Sequence, residues 1–280
     1  MVAIRLEDFR LRTGLTESAL PTELAISKLA SATALAQRLS DRVFGHAIEL
    51  VEADGDDALI RVYRHGLPTS GKVFLSGLSI AGLTGAVSYT REDADSIRVA
   101  DVTVASEIEG EGMLAAQVTK DVELLEHMLR LNPGPVAGVE ELRVVGSGWD
   151  VDGEFGTAQI VDPALYYLVT DGTHCWSGEV ELSDQVRTYT SHRRPGMINR
   201  VRTNGRRRVR AKFYAGCVEW VPDDILEAIG AIAQQIVSDP LGEHGSESYE
   251  YYSYSRLSPD DIRKMPTSAV HTLLRYKPLM

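Results

Sequence analysis

Two stretches far apart in the chain carry apolar residues at three- and four-residue steps, which predicts amphipathic helices. In the first, "LPTELAISKLASATALAQRLSDRVFG" (20–45), Pro21 stands at the N1 position of the predicted helix and Gly45 at its C-cap. In the second, "VPDDILEAIGAIAQQIVSDP" (221–240), acidic residues fill the first turn, and Asp239-Pro240 stops the helix. The apolar stripe of this second, core helix contains Ile225, Ile229, Ile232 and Ile236. We expect the two stripes to pack against each other.

Shorter helical patterns surround these two. "LEDFRLRTG" predicts one or two helical turns that end at Gly14. Thr119 can cap a helix that runs through "KDVELLEHMLRL". Near the C-terminus, Ser258 caps "SPDDIRKM", and a last short helix follows in "TSAVHTLLRYKP".

Between these helices the pattern changes to short β-branched runs separated by Gly, Pro and Asp. From about His46 such runs predict a compact all-β unit of roughly 65 residues. A second β region follows from about residue 134 to 215. In it, Asn204-Gly205 lies between "INRVRT" and "RRRVRAKFYAG", which is a strong hairpin signal because both residues tolerate the positive φ of a type I′ turn. Arms of about six residues would project about 20 Å.

This predicted hairpin carries an unusual charge. The 280-residue chain has a formal net charge of −11, yet residues 193–212 contain nine basic residues and no acidic one. The rest of the chain therefore carries about −20. Such segregation indicates that a negative partner is expected at the hairpin. The six arginines of its centre are Arg200, Arg202, Arg206, Arg207, Arg208 and Arg210.

A search for catalytic or metal-binding patterns finds little. The chain lacks the phosphate-binding, nucleophile-elbow and zinc-protease motifs, so we predict that it is not an enzyme and has no cofactor or metal. The acidic stretch 149–154 is interpreted as a turn, and His174-Cys175 would point to opposite faces of a strand. Cys175 and Cys217 are expected to be reduced, buried thiols. The chain also has no apolar run long enough to span a membrane and no leader pattern.

The segment "SYEYYSYSR" has two interpretations. Tyr249, Tyr251, Tyr252 and Tyr254 could stack on nucleic-acid bases. Tyrosine also gives a large contact area at a small entropic cost, which is typical of protein interfaces. Because acidic residues surround the run, we favour an interface or simple packing.

The order of several motifs resembles the head–tail connector (adaptor) proteins of long-tailed bacteriophages and gene transfer agents. The similar segments are "LPTELAISKLASATALAQRLSDRVFG", "LRLNPGPVAGVEELRVVG", "RRVRAKFYAGCVEWVPDDILEAIGAIAQQIVSD", "SESYEYYSYSR" and "SAVHTLLRYKP". The resemblance covers residues 15–45 and 129–280. It implies an α+β fold with a helical adaptor core (1–45 and 129–280) that carries the long basic β-hairpin. Residues 46–128 depart from the family and are interpreted as a small inserted all-β domain.

The resemblance implies a structural role in the neck of a virion assembled in the host cytoplasm. Family members form a twelve-fold ring of identical copies beneath the portal protein. The ring extends the channel through which packaged DNA passes, and it offers a docking platform to the next neck or tail-completion protein. The segment that would dock on the portal contains Tyr249, Tyr251, Tyr252, Tyr254, Arg256, Leu273, Leu274 and Tyr276.

Three interpretations of the arginine hairpin stay open. It could contact the phosphates of DNA in the channel without reading sequence, or clamp an acidic protein neighbour, or lie in solvent while its arginine stems cover apolar surface. We favour the protein clamp, because a densely positive wall would hold DNA that has to slide. Two other functions are kept as alternatives: a non-sequence-specific nucleic-acid-binding protein that uses the hairpin, and an enzyme whose site is assembled from distant residues.

Overall fold

The computed structural model describes residues 2–125, 128–144, 159–169, 178–183, 207–218, 220–238 and 265–277. Within these residues the fold is mixed α+β, with helices α1 Leu6–Thr13, α2 Thr22–Ser40, α3 Asp223–Ser238 and α4 Thr267–Arg275. The strands are β1 His46–Ala47, β2 Leu50–Asp54, β3 Asp57–Arg61, β4 Ser70–Ser76, β5 Gly85–Arg91, β6 Ser96–Val99, β7 Ile108–Glu109, β8 Met113–Leu125, β9 Met128–Arg130, β10 Val136–Val144, β11 Gln159–Ile160, β12 Tyr166–Val169, β13 Glu179–Leu182 and β14 Arg207–Ala215. All of the strand pairings described are antiparallel.

The four helices form one module, which we call the helical module, around a shared hydrophobic core. α2 and α3 contribute most of its buried side chains, and α4 packs against both. Leu29 of α2 and Ile229 of α3 are fully buried in this core, as expected from the two apolar stripes. Residues 2–4 before α1 are also buried in this core, and the backbone N–H of Ala47 donates to the carbonyl oxygen of Val2.

The first long helix ends earlier than the sequence predicts. α2 stops at Ser40, and Asp41 takes the left-handed conformation (φ 54°) that closes the helix, so Gly45 is not its C-cap. Gly45 (φ +85°) instead allows a close backbone approach, because a Cβ at this position would lie 2.8 Å from the carbonyl oxygen of Leu114. Gly216 faces it, and a Cβ there would lie 3.1 Å from the Gly45 Cα.

Residues 46–116 form a small closed barrel. Its pairings run in a circuit in which β8 pairs with β4, β4 with β5, β5 with β6, β6 with β3 and β3 with β2. β1, which directly precedes β2 in the chain, then pairs with β8 and completes the circuit. The barrel has its own core, in which Ile60, Leu75 and Ile97 are fully buried. The described elements of residues 46–116 are therefore all strands. That residues 46–128 form an inserted domain stays a prediction.

The prediction of a helix that starts at Thr119 is wrong. Residues 119–125 continue strand β8, and residues 128–130 form β9. β8 pairs with β14 from Ala116 to Leu124, so a long-range partner decides the conformation of this segment. Val118 and Val122 also fit the alternation of a strand, whose inward face they occupy.

β8 links the barrel to a second sheet region. There the strand order runs β11-β10-β14-β8, and β9, β13 and β12 extend from β8 as a side branch. A separate core lies on one face of this region and includes Leu142, Val209 and Phe213. The opposite face of β10, β14 and β8 carries the charged residues described next.

Candidate charged interaction surface

Strand β14, which begins in the predicted basic hairpin, is an interior strand of the sheet. Its residues Arg207–Ala215 pair with β8, and Val209–Ala215 also pair with β10 on the other edge. Both edges of Val209–Ala215 are therefore occupied by β10 and β8. The sequence predicts a two-stranded ribbon in which residues 198–203 pair with this strand, and that prediction is wrong from Val209 onward. Residues 198–203 lie outside the described residues.

The side chains of β14 alternate between the sheet core and the opposite face. Val209, Ala211 and Phe213 are fully buried in the core, whereas Arg210 and Lys212 point away from it. Residues directly opposite each other on paired strands share a face, and this defines what we call the charged sheet face. It contains Lys72, Gln117, Asp121, Glu140, Glu141, Arg143, Arg210, Lys212 and Tyr214.

The basic residues of this face are bonded to carboxylates of neighbouring strands. Arg210 holds Asp121 with two bonds, Nε to Oδ1 at 2.8 Å and Nη2 to Oδ2 at 3.3 Å. On the other side of β14, Glu141 accepts from Arg143 Nε at 2.5 Å and from Arg143 Nη2 at 3.0 Å. Lys212 Nζ lies 3.7 Å from Glu141 Oε1. The hydrogen bond from Arg143 lowers the pKa of Glu141, and that with Asp121 raises the pKa of Arg210.

A bulge in β10 places two adjacent glutamates on the same face. Val139 pairs with Phe213 and Glu141 pairs with Lys212, so Glu140 is an extra residue with no Cα partner on β14. A bulge of this kind turns the side chain of the inserted residue. Without it, the alternation of the strand would send Glu140 and Glu141 to opposite faces.

Glu140 is the centre of a hydrogen-bond network. Lys72 Nζ donates to its Oε1 at 2.8 Å, and the Tyr214 hydroxyl donates to its Oε2 at 3.0 Å. Gln117 donates to the same carboxylate. Burial alone would raise the pKa of Glu140, but the bonds from Lys72 and Tyr214 lower it below its usual value. Burial and the bond to Glu140 raise the pKa of Tyr214 to about 12, so both groups keep their protonation states at neutral pH.

The described face is close to electrical balance. Its bonded network holds four cations, Lys72, Arg143, Arg210 and Lys212, and three carboxylates, Asp121, Glu140 and Glu141. The end of the basic run that the structure describes is thus matched by acidic residues of the same sheet. Paired arginines have fewer donors left for an added anion than free arginines have.

The remaining residues of the predicted hairpin are only partly described. Arg207 and Arg208 lie in β14 with their backbones opposite Leu124 and Glu123, and their side chains are outside the description. Arg200, Arg202 and Arg206 lie wholly outside the described residues.

The predicted portal-docking residues divide in the same way. Tyr249, Tyr251, Tyr252, Tyr254 and Arg256 lie outside the described residues. Leu273 is fully buried in the core of the helical module. The Tyr276 hydroxyl donates to both carboxylate oxygens of Asp224, at 2.9 Å each. Leu274 has 45% of its surface exposed.

The residues assigned to the core helix all lie in α3. Ile225, Ile229 and Ile232 are buried, and Ile236 is partly buried against the same core.

The other candidate chemistry adds no site within the described ranges. Cys217 is a buried free cysteine, and burial raises the pKa of its thiol. Cys175, His174 and the acidic stretch 149–154 lie outside the description. Among described side chains, no group of three or more His, Cys, Asp or Glu is arranged to hold a metal ion. None of the described helices is both long enough and apolar enough to cross a membrane.

Sequence reasoning missed the carboxylates that meet the arginines. Asp121 lies in a segment whose pattern predicts a helix, and Glu140 and Glu141 lie in the second predicted β region. The available signal was the pair of adjacent glutamates in "GVEELRV", since a strand with one apolar face accommodates both only through a bulge.

Comparisons with known proteins give one structural similarity. No protein-family model matches the chain, and no curated protein matches it. Among solved structures, the neck of an empty GTA particle, computed with C6 symmetry, contains a chain similar over 99% of this chain and 91% of its own length. The sequence identity is 14% and the TM-score is 0.42, values that do not establish a shared fold.

Proposed function

We propose that this protein is a structural, non-enzymatic component of a virion neck, a head–tail adaptor. Twelve copies form a ring beneath the portal protein and extend the channel for packaged DNA. The ring offers a docking platform to the next neck or tail-completion protein. The chain is made in the host cytoplasm and becomes part of the particle.

The observation that carries this proposal is the way in which the ends of the chain meet. The segments that resemble adaptor proteins supply α2 and α3, which are separated by more than 180 residues in sequence. Their apolar stripes nevertheless share one core, to which α4 also contributes. A helical core built from both ends of the chain is the arrangement that the resemblance implies.

In this proposal residues 46–128 are an inserted domain at the outer periphery of the ring. The barrel has its own core and is connected to the rest of the sheet through β8. An insertion at the periphery leaves the contacts between neighbouring copies undisturbed.

The alternative of a DNA-binding hairpin receives less support from the described residues. Arg210 and Lys212 already lie beside Asp121 and Glu141 of the same sheet. A protein contact that complements a charged, nearly neutral face fits better than a surface made for phosphates.

The test is light scattering after size exclusion, on the protein alone and mixed with its cognate portal protein. We expect a large complex to appear with the portal. Leu274→Glu should weaken that complex, because Leu274 is the described, exposed residue of the docking segment. Leu24→Glu is a matched control, since Leu24 is also 45% exposed and also lies on a helix.

Two results would contradict the proposal. One is a peak position that the portal does not change. The other is a peak that shifts with DNA in a strongly salt-dependent way, which is typical of binding through released counterions. The second result would assign the basic segment to nucleic acid.

A further inference from the structure

Six large apolar side chains are exposed among the described residues, and three of them, Leu11, Trp220 and Ile160, lie at two places that also carry charged side chains. Isolated exposed leucines need no explanation, but an apolar side chain inside a charged surface is typical of protein contacts. The first place is the junction between the end of α1 and the start of α3, where Leu11 is 84% and Trp220 52% exposed. The second is the charged sheet face, where Ile160 is 56% exposed.

We call the first place the helix-end surface: Leu11, Trp220, Asp223 and Glu227. Arg12, which follows Leu11, connects its two elements, with its guanidinium 3.3 Å from Asp223 and 4.0 Å from Glu227. Trp220 lies three residues before Asp223 in the chain. Both carboxylates are exposed at the first turns of α3. The two carboxylates share the single guanidinium of Arg12, so this surface combines two exposed apolar side chains with one negative charge in excess.

We call the second place the sheet row: Ile160, Arg143, Arg210 and Lys212. Ile160 lies directly opposite Arg143, and Arg143 lies directly opposite Arg210, so the three side chains follow one another across β11, β10 and β14. Lys212 is the next outward residue of β14. The row is apolar at its edge strand and basic beside it, although Asp121 and Glu141 also bond there.

The two surfaces are complementary in chemistry and belong to different parts of the fold, one to the helical module and one to the sheet. A contact between two different surfaces of identical copies is heterologous. It closes into a ring if the rotation between neighbours closes, and otherwise it gives an open helical filament. Isologous pairing of the helix-end surface would set carboxylates against each other, and isologous pairing of the sheet row would set arginines against each other.

We propose that the helix-end surface of one copy docks on the sheet row of the next copy, as the contact that joins neighbours head to tail. This proposal rests on the proposed ring and names the surfaces that build it. Trp220 and Leu11 would meet Ile160, while Asp223 and Glu227 would face Arg143 and Arg210.

The test uses two variants that each remove one surface. Trp220→Ser alters the helix-end surface, and Ile160→Ser alters the sheet row. Both side chains are more than half exposed, so we expect both variants to fold, and thermal unfolding checks this. If Ile160→Ser does not fold, Ile160→Thr replaces it, because threonine keeps a β-branched residue in the strand. Tyr167→Ser is the matched control, because Tyr167 is also 56% exposed but lies on β12.

The measurement is sedimentation velocity at protein concentrations up to about 1 mM, at which weak contacts of small area are still populated. Wild type and Tyr167→Ser should self-associate, more strongly at low salt. Each surface variant alone should be monomeric. An equimolar mixture of Trp220→Ser and Ile160→Ser should give dimers and nothing larger, because one intact surface of each kind remains.

Other outcomes overturn the proposed contact. They are a wild-type chain that stays monomeric, a surface variant that associates like wild type, or a mixture that stays monomeric. None of these outcomes decides the portal experiment, because binding to the portal can also assemble the copies into a ring. Failure of the portal complex with an intact head-to-tail contact would instead reject the adaptor function alone.

Discussion

Glu49 shows how one side chain can connect the barrel to the helical module. It lies between β1 and β2, and its Oε1 accepts the backbone N–H of Leu6 at 2.9 Å, at the first turn of α1. A carboxylate at this end of a helix satisfies a free N–H group and complements the helix dipole. Burial nevertheless raises the pKa of Glu49 to about 7, although the bond from Leu6 and the charge of Arg5 act in the opposite direction.

The raised pKa predicts a pH-dependent stability. Between its usual pKa of 4.5 and about 7, folded Glu49 holds a proton that the unfolded chain has lost. This contribution is fully present below about pH 4.5 and is lost as the pH rises through 7. The Glu49→Gln side chain does not ionise, so its contribution to stability does not change with pH. The difference in unfolding free energy, variant minus wild type, should therefore be about 2–3 kcal/mol larger at pH 8 than at pH 4.

Urea unfolding at a series of pH values measures this difference. His46, buried with both ring nitrogens unpartnered among the described residues, has a pKa well below its usual value. Both chains share this residue, so their difference isolates Glu49. Glu109→Gln, at an exposed position of β7, controls for the charge change itself. A difference between Glu49→Gln and wild type that stays constant with pH would reject the role given to Glu49.

At the scale of elements, the crossing of Gly45 and Gly216 holds the helical module against the sheet. Gly45 follows α2 closely in sequence and lies against β8, while Gly216 directly follows the end of β14. The crossing is fixed by backbone bonds, since the Cys217 N–H donates to the Phe44 carbonyl at 3.0 Å and the Val43 N–H to the Gly134 carbonyl at 3.0 Å.

Gly45→Ala is expected to destabilise the chain strongly. Its positive φ alone costs an L-residue about 1 kcal/mol, and the new Cβ would also press on the backbone of β8, which cannot move without disturbing the barrel. We expect a total loss of about 2–4 kcal/mol, since strain at a special φ and a backbone clash combine. Chemical denaturation measures this loss, provided that the unfolding free energy falls with denaturant concentration at the same slope in variant and wild type.

Gly55→Ala provides the comparison. Gly55 has a similar positive φ of +66°, but a Cβ there would meet no atom within 4 Å. This variant should lose only the conformational part, about 1 kcal/mol. Equal losses for the two variants would mean that the close approach at Gly45 contributes nothing.

The elements also differ in how far their sequence predicts them. α2 and α3 are recoverable because each buries a continuous stripe, and their pairing follows from the need of both stripes for a partner. The end of α2 cannot be predicted from the pattern, because Asp41 adopts the left-handed conformation that the pattern predicts for Gly45. β8 was missed because its helix-like spacing is overridden by β14, a partner about 90 residues away.

The charged sheet face follows the same rule. The arginines of β14 are visible as a run in the sequence, but their partners are set by strand register and by the bulge at Glu140. Register and bulges depend on pairings across the sheet, so no local pattern in the sequence identifies Asp121 as the partner of Arg210.

At the scale of the whole molecule, β8 makes the barrel and the second sheet region mechanically continuous. Its residue Leu114 is fully buried in the barrel core, while Val118 and Val122 pack against the core beneath the charged sheet face. The proposed inserted domain thus has its own core but shares a strand with its host. Shared strands transmit local unfolding, because opening one part removes the pairing partner of the other.

We therefore predict that the barrel and the helical module unfold in one transition. Ile60→Ala empties a fully buried site in the barrel, and Ile229→Ala does so in α3. Each should cost about 2–5 kcal/mol. Hydrogen exchange at increasing denaturant should show barrel and helix peptides losing protection together in both variants, because β8 and the Gly45–Gly216 crossing couple them. If Ile60→Ala releases barrel peptides while α2 and α3 keep their protection, the barrel is an independent domain that its host tolerates unfolded.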